Sequence, residues 1–70
     1  MVSKRVYALV EMESALEALG EYRDEGSYKA DLLTFPKGFR ERVKAAFEKA
    51  FQAADEGLDL LRKLHKEDES

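Results

Sequence analysis

Cysteine and tryptophan are absent from this 70-residue chain, and histidine and proline occur once each. Without cysteine there is no disulfide and no thiolate metal site. Zinc would have to rest on His65 and carboxylates alone, a poor donor set for it. No apolar run approaches the roughly 18 residues of a membrane-spanning helix. The opening Met1 to Val10 has a basic end and a short apolar centre. Glu11 and Glu13 follow at once where a cleavage-type tail would stand, so the expectation is no signal peptide and a cytoplasmic location. A phosphate-cradling glycine loop and a nucleophile–base arrangement are also missing, so neither an enzyme nor a cofactor is expected.

These absences bear on stability. A chain of this length forms one domain, here residues 1–70, and buries only about 60% of its unfolded surface. Small scaffolds of this kind lean on a disulfide, a metal or a second chain. The first two are disfavoured by composition, which leaves oligomerisation.

What the chain has in quantity is charge. Charged residues make up 39% of it and the net charge is −3. The charges come in blocks: +2 over residues 1–10, −5 over 11–35, +3 over 36–49 and −3 over 50–70. Alternating blocks of opposite sign suit a self-complementary surface between copies.

The strongest pattern runs from Lys37 to Lys66. At 100° per residue, Phe39, Val43, Ala46, Phe47, Ala50, Phe51, Ala54, Leu58, Leu61 and Leu64 fall within an arc of about 140°, with Glu41, Glu48, Asp55, Asp59, Lys63 and Lys66 opposite. This predicts one amphipathic helix of about 30 residues, roughly 45 Å long. A compact 70-residue globule is about 28 Å across, from a radius of gyration of roughly 11 Å. The distal half of the helix would therefore overhang, and another chain would cover it. Gly57, on the apolar side, is where the helix could break, with Asp55 as a second N-cap. Residues 67–70 read as a frayed tail.

Ahead of this helix the pattern is shorter-ranged. Val6, Ala8, Val10 and Met12 alternate with Tyr7, Leu9 and Glu11, which predicts a strand over Lys4 to Glu13. A single helix over residues 2–25 would be apolar nearly all round at its start, an argument against it. Ser14-Ala15-Leu16-Glu17 matches a capping box and starts a helix over about 15–25, with Gly26 as its C′ residue. Residues 28–35 alternate weakly, and Leu32-Leu33-Thr34-Phe35 has strand character, so a short strand is expected there, with an irregular connector or a helical turn as the alternatives; Pro36 closes the segment, at or near the first turn of the long helix.

Three residue groups are weighed for chemistry. His65, with Glu69 four residues on, reads as a solvated or stripe-edge residue rather than a ligand. Glu11, Glu13, Glu17 and Glu21 read as a solvated acidic face. Lys37, Arg40, Arg42, Lys44 and Lys49 are a basic segment with Glu41 and Glu48 interleaved. The order of an extended segment, Pro36 and a basic helix over Leu32 to Lys49 is similar to a ribbon-helix-helix repressor. That resemblance implies a twofold dimer lying on DNA phosphates through Lys37, Arg40, Arg42 and Lys44, and it requires a second helix after a break near Gly57. The net acidity argues against nucleic acid.

The reading from sequence is thus an α+β fold, a small β-α-β-α domain ending in a long amphipathic helix. The alternative is an all-α helical hairpin that forms an oligomeric bundle. The expected function is a small non-enzymatic protein-interaction module, an oligomeric regulator, inhibitor or adaptor. A dimeric DNA-binding regulator using residues 37–49 is the alternative. The expected partners are further copies, as a dimer or tetramer, and another protein. The oligomer interface is placed at Phe47, Phe51, Ala54, Leu58, Leu61 and Leu64.

Overall fold

The computed structural model describes residues 4–69, with side chains for 4–67. Three helices follow one another: α1 (Lys4–Asp24), α2 (Tyr28–Leu32) and α3 (Lys37–Glu69). Among the described residues there is no strand, so the fold is all-α and the α+β reading is overturned. The helical hairpin, held as the alternative, fits.

The expected strand over Lys4–Glu13 is the first half of α1. The alternation there was deceptive because Tyr7 and Leu9, the residues between the expected inward positions, are apolar too. A short run that is apolar at nearly every position fits a buried helix as well as a strand. The Ser14–Glu17 capping box lies in the middle of α1 and caps nothing. Intrahelical amides there already have carbonyl partners, so the box has no open donors to satisfy.

α1 ends where the carbonyl of Glu21 accepts from both Glu25 N (2.8 Å) and Gly26 N (2.8 Å). Gly26 does not take the expected left-handed conformation, since no glycine has positive φ. It is needed for close approach instead: a Cβ at Gly26 would lie 2.9 Å from Cα and O of Tyr22.

The second expected strand, over residues 28–35, is α2 and a turn. Tyr28 and Leu32, spaced one helical turn apart, are both buried. Asp31 organises the segment. Its carboxylate accepts from Tyr22 Oη at 2.7 Å and Ser27 Oγ at 3.3 Å, and its carbonyl accepts from Thr34 Oγ1 at 2.6 Å. Thr34 N and Phe35 N then bond three residues back, to Asp31 O and Leu32 O, a tight turn that stops α2. Pro36 supplies the carbonyl for the first bond of α3, from Arg40 N at 2.8 Å.

α3 is unbroken through Gly57. α1 lies antiparallel along its distal half. Arg23–Asp55 at 3.5 Å, Glu17–Arg62 at 3.3 Å and Glu13–His65 at 3.0 Å mark the register, rising on one helix as they fall on the other. α2 covers the proximal half. The hairpin measures 50 × 17 × 16 Å with a radius of gyration of 15.6 Å, so the compact-globule estimate from sequence is replaced by a rod as long as its longest helix.

The core is small. Leu9, Tyr28, Leu32, Phe51, Ala54 and Leu58 are buried. Phe51 sits edge-on to Tyr28 with ring centroids 5.0 Å apart and carries the Arg23 guanidinium 5.5 Å above its ring. Leu19, Tyr22, Val43 and Phe47 pack around Tyr28, Leu32 and Phe51.

Candidate functional site

The wide apolar arc of α3 divides into two seams. Phe47, Phe51, Ala54, Leu58, Leu61 and His65 follow steps of four and three and point at α1 and α2 of the same chain. Phe51, Ala54 and Leu58 are buried there, and Phe47, Leu61 and His65 half-buried. Beside it runs a second seam with the same steps: Phe39, Val43, Ala46, Ala50, Ala53, Gly57, Leu60 and Leu64. It is open over much of its length. Phe39 is 51% exposed and Leu60 68%, Ala46 and Ala53 are exposed, and the seam's inner edge at Val43, Ala50 and Gly57 is half-buried.

α1 repeats this arrangement. Val6, Leu9, Glu13, Leu16, Gly20 and Arg23, in steps of three and four, face α3, while Ala8, Met12, Ala15, Leu19 and Tyr22 form a flanking stripe. On both helices the flanking stripe is displaced toward lower angles from the inward direction. Because the helices are antiparallel, equal displacements fall on one side of the hairpin. The packing agrees. Tyr22 and Val43 line one cavity of about 310 Å³ with Phe35 and Phe47. Leu16 Cδ1 lies 2.9 Å from where a Cβ on Gly57 would stand. One broad face is therefore apolar, with Met12 at 57% exposure and Phe39 stacked edge-on against Phe35 at 5.5 Å.

The opposite face is charged. Glu17, Glu21, Arg23, Asp24 and Asp55 line a concavity of about 340 Å³ there. Arg23 Nε donates to Asp24 at 2.8 Å, and Arg62 Nη2 donates to Glu17 at 3.3 Å. The Asp24 carboxyl is held below the usual carboxylate range by its hydrogen bond from Arg23, and Arg23 is raised in turn, first by that same bond. Tyr22 is raised above the ordinary tyrosine value, first because its hydroxyl donates to the Asp31 carboxylate.

Of the interface set expected from sequence, Phe51, Ala54 and Leu58 are covered within the chain, Phe47 and Leu61 partly so, and Leu64 lies on the open seam at 37% exposure. The residues that reasoning missed are Ala53 and Leu60 on α3 and Ala8, Met12, Ala15 and Leu19 on the flank of α1. Their signal was present as strict four-and-three spacing, hidden because two seams side by side look like one wide stripe.

The basic set does not form one surface. Arg40 is half-buried with Nη2 donating to Phe35 O at 3.1 Å. At 100° per residue, Lys37 and Lys44 point toward the charged side of α3 and Arg42 away from it. The extended segment on which the ribbon-helix-helix resemblance rested is the end of α2 and a turn. His65 is half-buried at the edge of the inward seam of α3, and its Nδ1 is 3.0 Å from Glu13 Oε1 across the hairpin. The Glu69 side chain lies outside the described residues. No group of three or more metal-capable side chains converges among the described residues, and none of their helices is long and apolar enough to cross a membrane.

Comparison with protein-family models, curated proteins and solved structures gives no match.

Proposed function

We propose that this chain is a small, non-enzymatic protein-interaction module of the cytoplasm that works as an oligomer, in the manner of a regulator, inhibitor or adaptor. One observation carries the reading: the hairpin leaves an apolar face along its length while its other face is charged and laced by ion pairs. Scattered exposed apolar residues are ordinary on a soluble protein, but a contiguous apolar face rimmed by polar residues marks a contact surface. A core of six buried residues among those described adds to the case, because so small a core leaves a 70-residue chain dependent on further burial. The test is mass by light scattering behind a sizing column, at tens of micromolar. An oligomer is expected; a monodisperse single chain with a cooperative melt would defeat the reading.

A further inference from the structure

Resting on that oligomeric reading, we infer that the partner on the apolar face is a second copy of this chain, joined antiparallel about a twofold axis through the open seam of α3. Three observations lead there.

The first is area. A compact chain of 8.0 kDa exposes roughly 4,450 Å². This hairpin exposes 5670 Å², an excess of about 1,200 Å² against the ~800 Å² per partner of a standard interface. A second hairpin laid on the open face removes surface of that order from each chain.

The second is the order of sizes along the seam. Bulky residues stand at both ends, Phe39 and Val43 at one and Leu60 and Leu64 at the other, with alanine and glycine between. The seam is therefore palindromic in size about its midpoint, next to Phe51. Antiparallel pairing about that point sets Phe39 on the partner's Leu64, Val43 on the partner's Leu60 and Ala50 on the partner's Ala53. Two crossing helices approach most closely at the middle and diverge toward the ends. Small residues at the crossing and large ones outside it fit that geometry. Steps of four and three are also the repeat that a facing helix, rather than a loop or a small ligand, can follow over seven intervals.

The third is charge at the rim. Lys49 and Glu56, both exposed, flank the seam one heptad apart. The antiparallel arrangement brings Lys49 beside the partner's Glu56, and the twofold axis makes that pair twice. Arg42 and Lys63 meet as like charges farther out, where both are exposed and salt screens them. The favourable pairs sit nearer the axis, and a parallel twofold arrangement would place Lys49 and Glu56 of one chain on the opposite rim from those of the other, so that neither pair forms.

The experiment combines mass with cross-linking on the full chain. Wild type should run with the mass of two chains. Leu60→Glu should halve that mass at the same concentration while keeping its helical far-ultraviolet signal, and Asp59→Arg, on the charged side, should leave it unchanged. Ala53→Arg, at an exposed position, repeats the test should Leu60→Glu not fold. Lys49→Cys and Glu56→Cys chains, clean probes in a protein without cysteine, should join to each other through a short bis-maleimide when mixed, and neither should join to itself. A two-chain wild type whose mass neither Leu60→Glu nor Ala53→Arg changes overturns this face and leaves the oligomeric reading standing. Self-joining of Lys49→Cys in place of mixed joining overturns the antiparallel register. A wild type of single-chain mass overturns the reading and the inference together.

Discussion

Glu13 Oε1 and His65 Nδ1 meet at 3.0 Å across the hairpin, although 52 positions separate them in the chain. Their side chains are only 15% and 23% exposed, and both occupy inward seam positions, where apolar residues would ordinarily sit. A carboxylate only accepts, so Nδ1 carries the shared proton. A polar pair in a helical seam fixes register at the expense of stability, since each partner gives up water for the other. Glu13→Ala should therefore lower stability by about 1–3 kcal/mol by removing the half-buried imidazole's partner across the hairpin. Glu13→Leu with His65→Leu should be neutral or stabilising, with the loss in a less uniquely fixed helix pairing. Denaturant melts of the single and double variants measure this, and a double variant as unstable as the single would refute it.

Gly57 bears on the continuity of α3. The helix passes through it without a break, so its lack of a side chain is a local propensity cost of about 1 kcal/mol relative to alanine. The obstacle to alanine is one atom, Leu16 Cδ1, at 2.9 Å from the new Cβ. That atom is the far end of a flexible side chain and can turn aside. Gly57→Ala should raise stability by up to about 1 kcal/mol, measured as a shift in denaturant midpoint. A loss of that size instead would mean that Leu16 is locked in place.

How far the sequence foretold this structure differed between the two long helices. α3 was legible from Lys37 onward because its polar side is unmixed, with Glu41, Glu48, Asp55 and Asp59 away from the apolar arc. α1 was not. Its inward seam includes Glu13, Gly20 and Arg23, and its flank carries Ala8, Met12 and Ala15, so apolar and polar residues are spread around the helix and no period stands out. The candidate face was half legible. The 140° arc reads as one buried stripe, and its width alone does not say which part a neighbour within the chain takes. Tyr28 and Leu32 decided that by folding back with α2 on the Phe47–Phe51 side.

Tyr22 makes a pH-dependent contribution whose sign follows from its bond to Asp31. Its folded value is raised because the neutral phenol donates at 2.7 Å to a carboxylate, and ionisation would set two negative charges together. The contribution is present in full below the ordinary tyrosine range and is lost as pH rises through the raised folded value. An absorbance titration of the phenolate band should include a step above the ordinary tyrosine range that belongs to Tyr22. Tyr22→Phe should remove that late step and the associated alkaline loss of stability. A Tyr22→Phe titration that still showed a late tyrosine would place the raised group elsewhere.

Phe51 tests whether the small core is a single cooperative unit. Its ring is 5% exposed and touches both halves of the molecule, with Tyr28 of α2 edge-on at 5.0 Å and Arg23 of α1 over its face. Truncating a buried phenylalanine costs about 3–5 kcal/mol, while a 70-residue chain has roughly 3.5–10 kcal/mol in all. Phe51→Ala should therefore leave the chain largely unfolded or close to it, and α1 and α2 should be lost together. Leu33→Ala, at a position 67% exposed on the turn after α2, should change the melt by less than about 0.5 kcal/mol. Hydrogen exchange resolved along the chain separates the outcomes. If Phe51→Ala releases α2 while α1 stays protected on the distal half of α3, the Glu13–His65 end of the hairpin holds together without the aromatic cluster, and the core is two units rather than one.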